Sequence, residues 1–348
     1  MTLHRRQFLQ TSLIGAGALL AGPQLHAAEE GELLYNGIRL PAVFPPRIAD
    51  VPREPVTPHY LTAPPAVIPI DVGRQFFVDD FLISQTTLQR SHHLPAWHAK
   101  NPVLTGGMVF SDGVWHDPAD KTFKMWYLTK GGTAYATSKD GIAWDKPDLD
   151  VKKGTNIVET SPRDSSTVWL DLEEKDPKRR WKMFRSYSYA EKKSWCLWVH
   201  FSADGIHWTE AKPTGSCGDR TTVFYNPFRG AWVYSLRHGW GQPRRRRYWE
   251  TKGDVIDGAQ WGANSVPAMW CGSDSLDPQR ADYKVAPELY NLDAVAYESL
   301  LVGLFTIWRG QFPGREKPNE VCVGYSRDRK STRLNSSHIQ KSRMPSSA

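Results

Sequence analysis

Short apolar runs separated by turn-forming residues dominate the chain from about residue 67 onward. Residues 76–78, 124–128 and 231–234 are typical, because they are rich in aromatic and β-branched side chains and are bounded by Gly, Pro, Asn or Asp. No segment repeats its apolar residues at the 3.6-residue period of a helix over a useful length. The pattern therefore predicts an all-β protein of many short strands joined by tight turns.

An internal repeat organises these runs. Residues 135–144, with the sequence YATSKDGIAW, recur as VHFSADGIHW at residues 199–208, and a third copy begins at residue 323. In each copy Asp-Gly supplies the turn of a hairpin, because Gly tolerates positive φ. We expect the Trp of each copy to lie on the following strand and to pack between sheets.

A second repeat precedes the first. Residues 114–118, 168–171, 223–227 and 295–298 each end an apolar strand, and another aromatic strand follows each of them. A unit of roughly 50 to 75 residues with this order of strands and turns is typical of a propeller blade. A β-sandwich with coincidental turns is the alternative, and the coincidence of two repeats disfavours it.

The N-terminal part differs from this pattern. Residues 1–27 place Arg5 and Arg6 before a short apolar run and a small-residue cleavage site, which resembles a twin-arginine export signal. This resemblance implies a periplasmic or extracellular protein without a stable membrane anchor. Residues 28–66 are rich in Pro, so we expect an extended arm there and ordered structure from about Val67 onward.

The C-terminal residues 328–348 resemble the in-frame translation of a sequencing adapter. Such a tail is excluded from fold reasoning. We therefore expect the propeller to occupy residues 67–327 and the natural gene to continue beyond them.

Composition narrows the classes of function. The 348 residues are 40% hydrophobic and carry a formal charge of +7, but without the signal and the tail the charge falls to near +1, which removes the argument for a nucleic-acid partner. The four cysteines, Cys196, Cys217, Cys271 and Cys322, form no Cys-x-x-Cys pattern and are expected to be buried thiols. Phosphate-binding loops, nucleophile elbows and dinucleotide fingerprints are missing from the sequence, so we predict no cofactor and no metal.

The two repeats together resemble those of the five-bladed β-propeller glycoside hydrolases, a superfamily that includes invertase-like and arabinanase-like enzymes. The resemblance covers residues 67–327 and implies an all-β, five-bladed propeller that is C-terminally truncated, since only about four blades are visible. It implies an exported glycoside hydrolase acting on a plant, algal or microbial polysaccharide or oligosaccharide. A carbohydrate-binding propeller without catalysis is the alternative, because fold alone does not give function.

Acidic residues recur at the start of each strand predicted to line the central channel, namely Asp112, Asp164, Asp219 and Asp293. Glycosidic cleavage needs one carboxyl group that protonates the leaving oxygen and a second that acts as base or nucleophile. An Asp before a strand often caps a turn instead. Turn capping is a stronger alternative for any single Asp than for all four together, since four independent caps need not fall at the same repeat position.

The resemblance implies roles for two of these residues. Residues 111–113 (Ser-Asp-Gly) and 163–165 (Arg-Asp-Ser) occupy the places of the invertase-like Asn-Asp-Pro and Arg-Asp-Pro motifs. This implies that Asp112 is the nucleophile or base and that Asp164 stabilises the transition state. Both prolines of the family motifs are missing.

The identity of the acid stays open at the level of sequence. Residues 218–220 (Gly-Asp-Arg) replace the Glu-Cys motif that provides the acid in the invertase-like enzymes. The acid is Asp219 or, less directly, Glu298, which the register of the second repeat places away from the channel.

Arginine and tryptophan residues supply candidate sugar-binding groups. Arg163 and Arg220 lie beside candidate acids, where they either hold an anionic sugar or lower the pKa of the neighbouring Asp. Arg244 begins a run of four arginines that follows Trp240, and it is a candidate for contact with uronate or sulfate, although such a run is more often a solvated face. Exposed indoles stack on sugar rings. We therefore predict a carbohydrate partner and make no prediction about oligomeric state.

Overall fold

The computed structural model describes residues 31–328, except for residues 92, 94, 95, 110, 190–193, 240–242, 263, 264, 284, 312, 313 and 315–318. The predicted export signal and almost all of the predicted adapter tail lie outside the described residues. The first two sheets comprise β1 (Val114–Asp117), β2 (Thr122–Thr129), β3 (Gly132–Ser138), β4 (Ile157–Glu159), β5 (Ser165–Leu170), β6 (Trp181–Tyr189), β7 (Ser194–Ser202) and β8 (Lys212–Ser216). The third and fourth comprise β9 (Thr222–Asn226), β10 (Ala231–His238), β11 (Arg245–Thr251), β12 (Ala268–Gly272), β13 (Glu288–Tyr297), β14 (Leu300–Trp308) and β15 (Asn319–Ser326). A one-turn helix, α1 (His59–Thr62), precedes them, and short 3₁₀ turns lie at Pro177–Arg179 and Asp257–Ala259.

Each sheet is an antiparallel meander whose strands follow chain order. The first strands, β1, β5, β9 and β13, are the inner strands, since neighbouring sheets meet along them. The Val168 N–H of β5 donates to the Asp112 carbonyl at 2.9 Å, and the Thr222 hydroxyl of β9 donates to the Leu292 carbonyl of β13. Meanders joined at their first strands are propeller blades. The prediction of an all-β propeller with about four blades is confirmed.

The Asp-Gly repeat forms the turn that leaves the third strand of the first two sheets. In both copies the Asp carboxylate accepts backbone N–H bonds from the two residues after the Gly, at 2.8 to 2.9 Å. Gly205 has a φ of +80°, and its carbonyl accepts a bond from the Trp126 indole of the first sheet at 2.9 Å. A β-carbon at residue 205 would lie 2.6 Å from that indole, so the turn requires Gly both for its φ and for contact between sheets.

The tryptophans of the same repeat do not lie where the sequence predicts. Trp144 and Trp208 follow the turns but belong to the connections and not to β4 or β8. The Trp144 indole N–H donates to the Gly141 carbonyl at 3.1 Å, which folds the ring back over its own turn. Both rings are half-buried and pack against the cores of the first two sheets.

Stacked aromatic side chains fill the space between the sheets. Trp115 and Trp169, at the same repeat position of β1 and β5, meet edge to face with their centroids 4.7 Å apart. Trp169 meets Trp232 of the third sheet at 5.9 Å, and Trp126 meets Trp181 at 4.9 Å. Such pairs add to the free energy of apolar burial, so the repeated aromatic positions hold successive sheets together.

Residues 31–66, the described part of the predicted arm, pack against the third and fourth sheets. Leu34, Ile38 and Leu40 form a buried cluster with Tyr60 of α1 and with Phe81. The expectation that ordered structure begins near residue 67 therefore differs from the structure, because these apolar side chains bury each other despite the many prolines. In the described part of the chain no helix is long and apolar enough to cross a membrane.

The same segment is fastened to the end of β15. The Asn36 amide donates to the Arg327 carbonyl at 2.9 Å. The Arg327 guanidinium pairs with Asp79 at 2.8 Å, and both of these side chains are buried. The first described residues are thus tied to the last strand of the fourth sheet.

Candidate active site

The inner strands all begin at one end of the sheets, which we call the mouth, and finish at the other, which we call the turn end. Asp112, Asp164 and Asp219 lie one to three residues before the first residues of β1, β5 and β9, so the structure brings these three carboxylates to the mouth. Asp293 differs from the sequence expectation, because β13 begins at Glu288 and Asp293 lies inside the strand. The earlier start of β13 places Glu288 at the strand-start position instead.

Asp112 forms a buried ion pair with Arg163. Both terminal nitrogens of Arg163 donate to the Asp112 carboxylate, with Nη2 at 3.2 Å from Oδ2, and neither side chain is exposed. The pair ties the segment before β1 to the segment before β5. In this arrangement neither the carboxylate nor the guanidinium is open to a ligand.

Asp164 is more exposed than Asp112 and contacts the segment before β9. The backbone N–H of Arg220 donates to Asp164 Oδ1 at 3.3 Å, and Arg220 Nε lies 3.5 Å from the same oxygen. Arg220 has a φ of +56°, a left-handed conformation that is uncommon for a residue with a side chain. The Arg246 guanidinium donates to the Arg220 carbonyl and holds it in this conformation. Strained backbone of this kind concentrates at functional sites.

Asp219 lies between two guanidinium groups. Arg237 Nε is 3.1 Å from Oδ1, and Arg244 Nη2 is 3.2 Å from Oδ2. Arg244 Nε also lies 3.5 Å from Glu288, and burial raises the pKa of Glu288 although the charges of Arg244 and Arg237 lower it. Glu288 and Arg237 are not among the residues that the sequence pattern predicts for the site. The recurrence of an acid at the start of each inner strand identifies Glu288 once the start of β13 is known. No local signal in the sequence marks Arg237.

The ring of Tyr290 links these groups across the mouth. The Arg244 guanidinium lies 4.3 Å from the centroid of the ring, and the Arg220 guanidinium lies 5.5 Å from it. Both distances are within the range of cation–π attraction. Tyr290 therefore holds two arginines that precede different strands, β9 and β11, at one place.

A cavity of about 480 Å³ lies beside the inner strands, and Asp293 is part of its wall. Its lining is mainly apolar and includes Val114, Trp115, Val168, Trp169, Val295 and Leu304. The Asn291 amide donates to Asp293 Oδ2 at 2.9 Å. Burial raises the pKa of Asp293 to about 6, against the lowering effects of a hydrogen bond from Ser111 and of the Arg246 charge. A carboxyl group with this pKa keeps its proton in mildly acidic solution, as a general acid must.

Arg246 lies fully buried behind the mouth. Its Nε donates to the Ser235 hydroxyl at 3.0 Å and its Nη2 to the Ser235 carbonyl at 3.2 Å. Burial lowers the pKa of Arg246 to about 10, and the carboxylates of Asp293 and Asp219 act in the opposite direction. Arg246 therefore brings a positive charge close to both acids.

Glu298, a further sequence candidate, does not join this group. Glu298 lies in the turn between β13 and β14, where Arg74 Nε donates to it at 2.9 Å and Nη2 at 2.7 Å. The rise of a strand, about 3.3 Å per residue, separates this turn end from Glu288 by about 30 Å. Trp240 lies outside the described residues.

Neither a metal centre nor a disulfide bond is found in the described part of the chain. No group of three or more His, Cys, Asp or Glu side chains among the described residues is arranged to hold a metal ion. Cys196, Cys217, Cys271 and Cys322 are free thiols, and burial raises the pKa of Cys217 well above its usual value. The described residues that face the mouth and the cavity thus offer carboxyl groups, guanidinium groups and indoles.

No protein-family model matches the chain, and no curated protein matches it significantly. Several solved structures are similar in fold. An N-acetylgalactosamine deacetylase from F. plautii has a TM-score of 0.41 at 12% identity, over 63% of this chain and 64% of that one. A family-43 glycoside hydrolase retrieved from a capybara gut metagenome has a TM-score of 0.43 at 10% identity, over 69% of this chain and 42% of that one.

An endo-arabinase from Bacteroides thetaiotaomicron gives a TM-score of 0.43 at 10% identity, over 68% of this chain and 81% of that one. The similar structures therefore include glycoside hydrolases. This chain spans 64% of the deacetylase and less than half of the capybara-gut enzyme. At these identities we transfer no residue role from these proteins to this chain.

Proposed function

We propose that this protein is a glycoside hydrolase that cleaves a polysaccharide or oligosaccharide at the mouth of the propeller. The observation that carries the proposal is Asp293, a carboxyl group with a pKa raised to about 6 in the wall of a cavity that two indoles also line. Indole faces stack on sugar rings, and a protonated carboxyl group supplies the proton that the leaving oxygen needs.

In this proposal Asp293 is the general acid and Asp164 is the base or nucleophile. Asp164 is the more open of the two repeat-position acids in the first two sheets, with 26% of its side chain exposed against none for Asp112. The buried Asp112–Arg163 pair acts by positioning the segments that carry Ser111 and Asp164. This assignment moves the role of base or nucleophile, which the family resemblance implied for Asp112, to Asp164.

A carbohydrate-binding propeller without catalysis is the second candidate. It is favoured by Asp112 and Asp219, since each of these carboxylates is held by guanidinium groups. Binding of a glycan without release of sugar distinguishes this candidate from the hydrolase.

The test is release of reducing sugar from a panel of polysaccharides by the full chain and by three variants. We expect Asp293→Asn to lower the rate by about 10²- to 10⁴-fold, the usual contribution of a general acid, and Asp164→Asn to lower it at least as much. Asp140→Asn, in an exposed Asp-Gly turn of the first sheet, is the matched control and leaves the rate unchanged. Because the acid works only when protonated, the wild-type rate falls as the pH rises through about 6.

The outcomes separate the candidates. If the wild type binds a glycan but releases no sugar from it, the second candidate is correct. If the wild type releases sugar and Asp293→Asn is equally active, the assignment of the acid is wrong.

We also propose that the protein is exported to the periplasm or beyond through the signal at residues 1–27. The support is the pair Arg5 and Arg6 before the apolar run. A fusion of residues 1–27 to a folded reporter enzyme is expected in the periplasmic fraction, and the double change Arg5→Lys and Arg6→Lys is expected to retain it in the cytoplasm. Unchanged export of the double variant contradicts the twin-arginine route.

A further inference from the structure

Arginine side chains from three segments surround the mouth. We call Arg220, Arg237, Arg244 and Arg246 the arginine rim. Arg237 lies at the end of β10, Arg246 in β11, and Arg220 and Arg244 lie just before β9 and β11. Cation–π contact with Tyr290 fixes Arg220 and Arg244 relative to each other. A guanidinium that is already held in place loses less conformational entropy when it binds an anion.

The carboxylates at the mouth do not satisfy the arginine rim fully. Asp219 is shared between Arg237 and Arg244. Glu288, the other acid near Arg244, lies 3.5 Å from its Nε, and burial raises the pKa of Glu288. Arg220 faces Asp164 at 3.5 Å. Arg246 donates to a hydroxyl and to carbonyl groups and makes no ion pair within the described residues. The four guanidinium groups of the rim therefore face three carboxyl groups at ion-pair distance, Asp164, Asp219 and Glu288.

One of the guanidinium nitrogens of Arg244 makes no hydrogen bond within the described residues. Its Nη2 faces Asp219 and its Nε faces Glu288, whereas its Nη1 has no hydrogen-bond partner among the described residues. A buried donor without a partner costs free energy until a ligand or water satisfies it. Nη1 itself is buried, but 19% of the Arg244 side chain is exposed at the mouth, so a ligand can reach the exposed part of the guanidinium.

The neighbouring Arg245 shows that this orientation is particular to Arg244. Arg245 begins β11, its side chain points the other way, and its Nε lies 3.0 Å from Asp50 of the N-terminal segment. The two residues are adjacent in the same basic run, yet only Arg244 contacts the acids of the mouth. Arg245 is therefore a matched control.

We propose that the glycan bound at this site is anionic, with a carboxylate or sulfate group that Arg244 and Arg220 bind beside the scissile bond. This inference rests on the proposed function and adds the class of substrate to it. Guanidinium groups bind carboxylate and sulfate oxygens through paired N–H donors.

The experiment measures binding of three chain-length-matched ligands to the full chain by calorimetry at pH 6 and low ionic strength. The ligands are trigalacturonate, a sulfated galactotriose and neutral galactotriose, so that the first two arms distinguish the source of the anion. We expect at least one anionic ligand to bind tenfold or more tightly than the neutral one. We expect the preference to weaken with added salt, since salt screens charges.

Variants identify the residue responsible. Arg244→Gln is expected to weaken binding of the anionic ligand about tenfold or more without changing binding of the neutral one. Arg244→Lys is expected to recover only part of the loss, because Lys keeps the charge but not the paired donors. Arg245→Gln is expected to bind all ligands as the wild type does, and thermal unfolding confirms that each variant is folded.

Two results overturn the inference. One is equal or tighter binding of the neutral ligand by the wild type, and the other is an equal loss for neutral and anionic ligands in Arg244→Gln. If the protein releases sugar from neutral glycans and not from anionic ones, the proposal of an anionic substrate is refuted and the proposal of a hydrolase stands. Selective binding of an anionic glycan that is never cleaved refutes the hydrolase and leaves the anion site intact.

Discussion

The two ends of the sheets use carboxyl groups in opposite ways. At the turn end, Asp117 accepts a hydrogen bond from Lys124 at 2.7 Å and two from Arg180, and the Arg180 bonds hold the pKa of Asp117 far below its usual value. At the mouth, burial raises the pKa of both Glu288 and Asp293. A carboxylate whose pKa is lowered by hydrogen bonds from Lys and Arg stays ionised and serves the structure. A carboxyl group whose pKa is raised by burial is available for proton transfer.

The turn end repeats this arrangement from sheet to sheet. In the second sheet Lys182 takes the place of Lys124 and donates to Asp171 at 2.8 Å and to Glu174 at 3.0 Å. Arg180 links the first two sheets through Asp117, and Arg179 links the second to the third through Asp254. Asp117 and Asp171 therefore stabilise their turns by accepting the backbone N–H of Ala119 and of Glu173, and Asp117 also joins the first two sheets.

The largest expected effect comes from Arg163, a residue of the mouth whose pairing resembles that of the turn end. Arg163→Met removes the guanidinium partner of a carboxylate that has no exposed surface. We expect the free energy of unfolding to fall by about 3 to 5 kcal/mol, measured by urea denaturation. The double variant Asp112→Asn with Arg163→Met is expected to regain most of that loss. A loss below about 1 kcal/mol for the single variant contradicts a structural role for the pair.

The second test breaks an ion pair at the turn end itself. Lys182→Met leaves Asp171 and Glu174 without their shared ammonium group, and we expect a loss of about 2 to 4 kcal/mol in the same measurement. The loss is smaller than for Arg163 because Glu174 is partly exposed. Lys178→Met, at an exposed position of the nearby 3₁₀ turn, is the control and stays within about 0.5 kcal/mol of the wild type. If Lys182→Met and Lys178→Met lower the free energy of unfolding equally, the buried ion pairs of Lys182 are not structural ties.

The third test uses pH to identify a mouth carboxyl group. The pKa of Asp293 is about 6 in the folded protein against an ordinary value of 3.8, so between these values the folded state binds more protons and stability falls as the pH rises. Asp293→Asn removes that fall. We expect the variant to be more stable than the wild type by about 3 kcal/mol above pH 7, and the gain to vanish below about pH 4. A gain that does not depend on pH contradicts the raised pKa.

The smallest expected effect lies on the exposed surface, in the Asp-Gly turn that follows β7 at the turn end. His207 Nδ1 is 2.7 Å from Asp204 and Nε2 is 2.9 Å from Asp150, and these carboxylates raise the pKa of His207. The pairing therefore stabilises the fold fully below pH 6.5 and is lost as the pH rises through the folded-state pKa. Exposed pairs contribute only a few tenths of a kcal/mol. His207→Gln is expected to lower the melting temperature slightly at pH 5.5 and not at pH 8.5, whereas His59→Gln is expected to change neither value.

Much of the fold could be predicted from local signals. The Asp-Gly repeat marked the turns, because Gly205 combines a positive φ with a contact that no larger residue allows. The second repeat placed Asp112, Asp164 and Asp219 at one end of the sheets, because each of them lies within three residues of the start of an inner strand. These signals are local, so the sequence contains them without reference to packing.

The start of β13 and the packing of residues 31–66 were not predicted. β13 begins at Glu288, after Pro287, and its register places Asp293 inside the strand and beside Ser111. Leu34 and Ile38 are buried by Tyr60 and Phe81, residues that a Pro-rich composition does not reveal. Both results depend on contacts between residues far apart in the chain.

The sequence by itself determined the all-β class, the repeating sheets and the end of each sheet at which most of the acids gather, because turn chemistry and strand periodicity act over a few residues. Only the tertiary structure decided which acid is available. Arg163 is 51 positions from Asp112 and closes it off, whereas burial beside the cavity raises the pKa of Asp293. Burial and charge pairing are properties of the packed chain, so the same residue type becomes a structural tie at one position and a candidate proton donor at another.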